Sequence, residues 1–99
     1  MFDKLASEER RYDELLHLLG TPAVQSDAAE YRKHAKALAE IETLVERFRE
    51  YKTVVQDVAQ TEELASAGDS DMRELAREEL KSLIARRDAL LAELKILLV

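Results

Sequence analysis

The sequence predicts an all-α fold: a long antiparallel coiled-coil-like hairpin with a shorter N-terminal helix packed along it. Glycine occurs twice and proline once in 99 residues, so little interrupts regular structure, whereas a sheet fold of this size needs more turn residues. Hydrophobic residues form 46% of the chain but aromatic residues only 5%, a balance that favours packed helices. Charged residues form 36%, as expected for long helices that each bury one stripe.

The first predicted helix spans residues 2–19. Its apolar residues recur at helical spacing and fall on one face; they are Phe2, Leu5, Tyr12, Leu15, Leu16 and Leu19. Gly20 predicts the end of the helix, and Pro22 supports that end because proline cannot continue a helix. Residues 20–26 are predicted to form a loop.

The second predicted helix spans residues 27–67. Asp27 is expected to accept a hydrogen bond from the backbone three residues on while Glu30 reaches back, as in a capping box. Apolar positions then alternate by three and four residues, with a few polar intruders, through Tyr31, His34, Leu38, Ile41, Val45, Phe48, Lys52, Val55 and Ala59. No glycine or proline precedes Gly68, so the helix should be roughly 38 residues and about 60 Å long. That length is typical of a coiled-coil arm.

The third predicted helix spans residues 70–98, with Ser70 or Asp71 as its cap. Its stripe is Ala76, Leu80, Leu83, Arg87, Leu90, Leu94 and Leu97. A short turn between two long helices makes them antiparallel neighbours. We therefore expect a seam in which Leu38, Ile41, Val45, Phe48 and Val55 face Leu80, Leu83, Leu90 and Leu94. The polar residues on the stripes, His34, Lys52 and Arg87, should either reach the edges of the seam or set its register.

The residue patterns predict a chain that is not an enzyme, with no catalytic, cofactor-binding or metal-binding residue. Without cysteine there is no disulfide, thiolate zinc site or cysteine nucleophile. The two glycines lie too far apart for a phosphate-binding loop. His17 and His34 match no metal spacing and are interpreted as half-exposed helix residues. Adjacent glutamates point about 100° apart on a helix, so they form no acid/base pair; these pairs are Glu8-Glu9, Glu62-Glu63 and Glu78-Glu79.

The net charge of −6 opposes unaided binding to nucleic acid but leaves docking on a basic protein open. Basic residues cluster at Arg32, Lys33 and Lys36, at Arg47, Arg49 and Lys52, and at Arg73, Arg77 and Lys81. The last cluster is interleaved with glutamates, so pairing with neighbouring helices is expected in place of phosphate binding.

The ends of the chain suggest its location and context. The start has no apolar run of a signal peptide, and no window approaches 18 apolar residues, which predicts a soluble cytoplasmic protein. Residues 94–99 are still helical in pattern and are apolar except for Lys95. From this pattern we expect residues 1–99 to be a single helical domain cut from the front of a longer multidomain protein.

Seven segments, taken in order and with their spacing, carry a resemblance. They are Met1–Leu5, Glu9–Leu15, Gly20–Val24, Tyr31–Lys33, Val45–Lys52, Asp71–Ala76 and Leu94–Val99. Together they resemble the bacterial peptide-chain release factors, specifically the N-terminal domain of the release factor 1 group. Each segment alone is a weak helical pattern, but the combination covers essentially the whole chain.

The resemblance implies a parent that recognises stop codons on the ribosome and triggers peptidyl-tRNA hydrolysis. In the family, the codon-reading tripeptide and a Gly-Gly-Gln motif lie downstream of this domain, and this sequence contains no Gly-Gly. The resemblance therefore implies a protruding arm that contacts the stalk base of the large ribosomal subunit. Further implied partners are the release GTPase and the factor's own later domains. No small molecule, membrane or sequence-specific nucleic acid is expected as a partner.

A second interpretation stays open at this point. A generic cytoplasmic coiled-coil adaptor or homodimerisation module could share the same helix punctuation. The gene beyond Val99 discriminates between the two, because a release factor continues into a segment that carries Gly-Gly-Gln.

Overall fold

A computed structural model describes all residues 1–99 and contains helices but no strand. The helices are α1 (Phe2–Leu19), α2 (Pro22–Gln25), α3 (Ala28–Ala67) and α4 (Ser70–Leu97). The all-α prediction is confirmed, and the long helices begin and end within one residue of their predicted bounds. The prediction of three helices is wrong, because α2 lies within the predicted loop. None of the helices has an apolar stretch of the length needed to cross a membrane.

The extra helix α2 is a single turn that Thr21 and Pro22 start. The Thr21 hydroxyl accepts a hydrogen bond from the Val24 N–H at 3.4 Å and donates one to the Leu18 carbonyl at 2.8 Å. Pro22 occupies the first helical position, where its fixed φ suits a helix and its missing N–H costs nothing. The turn buries Val24, so Pro22 both ends α1 and begins α2.

The start of α3 shows half of the predicted capping box. The Glu30 N–H donates to Asp27 Oδ1 at 3.1 Å, as predicted. The prediction that the Glu30 side chain binds the Asp27 N–H is wrong, because that N–H donates to the Val24 carbonyl at 3.0 Å. The Glu30 carboxylate lies 3.3 Å from His34 Nε2 instead. Because α2 ends directly before α3, a backbone carbonyl already satisfies the donor that Glu30 was expected to bind.

The chain divides into two compact units, residues 1–46 and residues 47–99, with the boundary inside α3. The first unit contains the buried residues Leu5, Leu15, Val24, Ile41, Leu44 and Val45. The second unit contains the buried residues Phe48, Val54, Val58, Ala76, Leu90 and Leu94.

In the second unit, α4 runs antiparallel to the second half of α3. Arg47 Nε lies 3.0 Å from Glu93 Oε1, and Arg86 Nε donates to Glu50 Oε1 at 2.9 Å. Numbers rise along one helix as they fall along the other, so the direction of the pairing is that of a hairpin. Both ion pairs are partly exposed, so they contribute more to register than to stability.

The buried stripe of α3 in this hairpin is displaced by one position from the predicted stripe, with Val54 and Val58 buried in place of Val55 and Ala59. Val54, Val58 and Leu90 form the buried cluster, and four partly buried side chains pack against it: Tyr51, Leu80, Leu83 and Ile84. Val55, predicted to lie in the seam, is 39% exposed, whereas Val54 is 7% exposed. The predicted position of Val55 is therefore wrong.

Lys52 gives the physical reason for this shift. The three-four alternation would bring Lys52 and Val55 to the same face as Phe48, and a buried ammonium group carries a large desolvation cost. The buried stripe instead continues from Phe48 through Tyr51 and Val54. Lys52 stays exposed with its Nζ 4.6 Å from the centroid of the Phe48 ring, a cation–π distance.

Two residues, Gly68 and Asp69, separate α3 from α4. The Gly68 N–H donates to the Leu64 carbonyl at 3.2 Å, which closes α3. Asp69 Oδ1 accepts from the Met72 N–H at 2.9 Å. Asp69 is therefore the cap of α4, and the prediction of Ser70 or Asp71 is wrong. The helix starts one residue earlier than such a cap would allow, because the turn is only two residues long.

Candidate protein-docking site

The two histidines lie on different helices. His17 is exposed near the end of α1, and His34 is half-buried beside Glu30 on α3. No group of three or more His, Cys, Asp or Glu residues is arranged to hold a metal ion. The candidate site lies instead on a surface with uneven charge.

The acidic charge concentrates around the turn between α3 and α4. Residues 57–81, which we call the acidic tip, contain eight acidic and three basic residues, a net charge of −5 out of the chain's −6. The acidic residues are Asp57, Glu62, Glu63, Asp69, Asp71, Glu74, Glu78 and Glu79. A surface of this charge attracts basic partners and repels phosphate.

The three basic residues of the tip, Arg73, Arg77 and Lys81, form no ion pair with another helix. Arg73 Nη1 donates to the Gly68 carbonyl at 3.3 Å, and Lys81 pairs with Glu78 at 3.2 Å inside α4. The predicted pairing of this ridge with neighbouring helices is therefore wrong. Glu62 and Glu63 are exposed and form no ion pair, which leaves two adjacent carboxylates available.

An open groove runs between α3 and α4 beside these carboxylates. It has a volume of about 730 Å³, and its apolar lining consists of Val55, Val58, Ala59 and Leu80. Its polar lining consists of Glu62, Glu63, Ser66 and Arg87. The groove thus combines an apolar base with a mainly acidic end, the composition of a site that binds an amphipathic partner.

The groove was not predicted from the sequence, although the sequence of α3 contains a pattern that indicates it. Four apolar residues occur among residues 54–59, namely Val54, Val55, Val58 and Ala59. A single neighbouring helix can cover only one side of α3, and therefore only some of these four residues. The remaining apolar residues indicate a second apolar face, which Val55 and Ala59 form.

Further apolar side chains are exposed in the tip. Leu64 is 47% exposed, Met72 43% and Leu75 68%. Single exposed apolar residues are ordinary on protein surfaces. Three of them within the most acidic part of the chain make the tip a suitable surface for a protein that is both basic and partly apolar.

Comparison with known proteins finds one family. The chain matches the PCRF domain model over residues 8–99. It is 43% identical over 100 residues to a protein of Carboxydothermus hydrogenoformans named peptide chain release factor 1, covering all of this chain and 28% of the relative. It is 42% identical over 99 residues to the protein of that name from Myxococcus xanthus, covering all of this chain and 27% of the relative.

A third protein of the same name, from Solidesulfovibrio magneticus, is 41% identical over 99 residues, which cover all of this chain and 28% of the relative. The chain thus spans a little over a quarter of the length of these relatives. No solved structure matches it significantly. Because the family model covers residues 8–99, the chain belongs to the PCRF domain family.

Proposed function

We propose that this chain is the N-terminal helical domain of a class I peptide chain release factor that acts in translation termination. The observation that carries this proposal is the identity of 39–43% across the whole chain to proteins named peptide chain release factor 1. These relatives are more than three times as long as the chain, so residues 1–99 form one part of a longer protein. Stop-codon reading and hydrolysis then belong to segments outside these residues.

Within the parent, this domain is a non-catalytic arm that contacts the ribosome in the cytoplasm. Two observations support an arm of this kind: the sequence contains no Gly-Gly, and the acidic tip exposes Leu64, Met72 and Leu75. The partner is a basic protein at the stalk base of the large subunit, because a net charge of −5 opposes bare RNA. The release GTPase and the factor's later domains are further partners.

We also propose that the two units belong to one domain. The continuity of α3 across the unit boundary supports this arrangement.

A peptide-release assay on ribosomes with a stop codon in the decoding site tests the proposed function. The fragment alone should release no peptide, because it lacks Gly-Gly-Gln, whereas the parent without residues 1–99 should release peptide with lower efficiency. Release by the fragment would contradict the proposal. A gene without a Gly-Gly-Gln segment after Val99 would instead favour a coiled-coil adaptor or homodimerisation module.

Salt dependence tests the proposed partner. Exposed charges are screened over about 8 Å at physiological ionic strength, so binding of the chain to isolated stalk-base protein should weaken as salt rises. Binding that does not respond to salt, or tight binding to naked ribosomal RNA, would contradict a basic protein partner.

A further inference from the structure

We propose that the groove between α3 and α4 is the docking site for a basic amphipathic helix of a protein partner. This inference deepens the proposed function, on which it rests for the existence of a basic protein partner. It names the structural element of that partner and the place where the element binds.

Val55 and Ala59 form part of the apolar lining of the groove. They lie four residues apart on α3, so they occupy the same face, and both are exposed. The hairpin buries Val54 and Val58 against α4 instead, which leaves the Val55 face without a partner. Ala59 is small, so another helix can approach α3 closely at that point.

The shape of the groove supports a helix as the occupant. Leu80 and Arg87 lie seven residues apart and line it from α4, while Val55, Ala59, Glu62 and Ser66 line it from α3 at successive helical turns. A groove that follows two adjacent helices for several turns accepts apolar side chains spaced by three, four and seven residues.

Charge decides which kind of helix fits. Glu62 and Glu63 are unpaired at one end of the groove, whereas the Nε of Arg87, the one cation in its lining, donates to Asp88 at 3.1 Å. Lysine or arginine beside the apolar anchors of a partner would neutralise the two glutamates. A second copy of this chain is a poor occupant, because it would bring a further net charge of −6 to the acidic tip.

A labelled, designed peptide provides the test. The probe is an end-blocked amphipathic helix with leucine on one face and lysine on the other, titrated with the full chain by fluorescence anisotropy at low and at physiological salt. We expect saturable binding that weakens with salt, and no binding of the same peptide with glutamate in place of lysine. Equal binding of the two peptides would overturn the proposal.

Two matched pairs of variants locate the site. Ala59→Arg fills the groove and should abolish binding, whereas Ala85→Arg adds the same side chain at an exposed position on α4 and should leave binding intact.

The second pair tests charge. Glu62→Gln with Glu63→Gln should weaken binding about five- to tenfold at low salt. Glu42→Gln with Glu46→Gln removes the same charge from an exposed part of α3 and should have little effect. Equal losses within either pair would overturn the proposal.

A measurement on the unmodified chain avoids any folding defect of the variants. Amide chemical shifts should change on peptide addition at Val55, Ala59 and Leu80. Changes confined to the outer face of α4, around Arg77 and Lys81, would contradict the groove, as would peptide-induced self-association in sedimentation. If the unmodified chain binds no peptide while the parent without residues 1–99 releases peptide less efficiently, the groove proposal is wrong and the proposed function stands. Peptide binding with no effect of the domain on release contradicts the proposed function instead.

Discussion

Gly20 and Gly68 both end helices, but for different physical reasons. Gly20 has φ −88° and ψ −5°, a conformation open to any residue, and a Cβ there would meet its nearest atom at 3.4 Å. A Cβ on Gly68 would lie 2.8 Å from the Leu64 carbonyl oxygen and 3.0 Å from Met72 Cγ. Only at Gly68 does the absence of a side chain allow the turn to close.

Alanine at these two positions should therefore have opposite effects. Gly68→Ala should lower the free energy of unfolding by about 1–3 kcal/mol, because the backbone must move to admit the methyl group. Gly20→Ala should be neutral or should raise it by up to about 1 kcal/mol, because alanine restricts the unfolded chain. Urea unfolding of both variants measures the difference. Equal effects at the two sites would contradict the close approach at Gly68.

Asp69 permits a second test at the level of single residues, because the cap of α4 lies one position before the predicted one. Asp69→Ala should cost about 1 kcal/mol, the usual value for loss of an N-cap acceptor. Ser70→Ala should change stability by less than about 0.5 kcal/mol, since Ser70 is exposed and outside the cap. Thermal unfolding followed by circular dichroism gives both values. A larger loss of stability in Ser70→Ala than in Asp69→Ala would indicate that Ser70 is the cap.

At the level of helices, α3 has two apolar faces, and only one of them meets α4 within residues 47–99. The buried stripe passes through Phe48, Val54 and Val58, and Val55 remains outside it. The helix thus serves the hairpin core with one face and lines the groove with the other. This division explains why a valine at either position looks equally suited to the core in the sequence.

The neighbouring valines test this division directly. Val54→Ala should cost about 2 kcal/mol, because it removes buried methyl groups from the cluster with Leu90. Val55→Ala makes the same chemical change one residue away and should cost less than about 0.5 kcal/mol, while weakening peptide binding to the groove. Urea unfolding and the anisotropy titration measure the two effects. A larger loss of stability in Val55→Ala than in Val54→Ala would indicate that Val55 is the buried residue, as first predicted.

At the level of the whole molecule, the net charge is concentrated in one region, whereas the buried side chains are not. The acidic tip carries most of the net charge, whereas fully buried side chains occur in both units, among them Leu5 at 1% and Leu90 at 0% exposure. Acidic residues crowded around one turn repel each other and so destabilise the fold. We interpret the acidic tip as a feature of binding, not of stability.

If the units form one domain, they should unfold together. Leu5→Ala in the first unit and Leu90→Ala in the second should each cost about 2–5 kcal/mol, and both should shift a single transition. Circular dichroism and tyrosine fluorescence can be compared, because Tyr12 and Tyr31 report on the first unit and Tyr51 on the second. Two separate transitions, each sensitive to one variant, would show two independent domains.

Local sequence patterns predicted the helical class, the ends of the three long helices to within one residue, and the family resemblance. These properties depend on local chemistry: Gly68 closes α3, Thr21 and Pro22 start a new turn, and Asp27 caps α3 through a contact three residues away. The extra turn α2 carried a readable signal in Thr21-Pro22, but the prediction treated Pro22 only as a stop.

Contacts between helices determine which of Val54 and Val55 is buried, which ion pairs cross the hairpin, and where a groove remains open. Val54 and Val55 lie about 100° apart on α3, and each has further apolar residues on its own side of the helix, so the sequence pattern alone does not say which side α4 covers. The choice depends on the shape of the facing helix and on the cost of burying Lys52. Both are properties of two elements in contact, and neither is encoded in a single stretch of sequence.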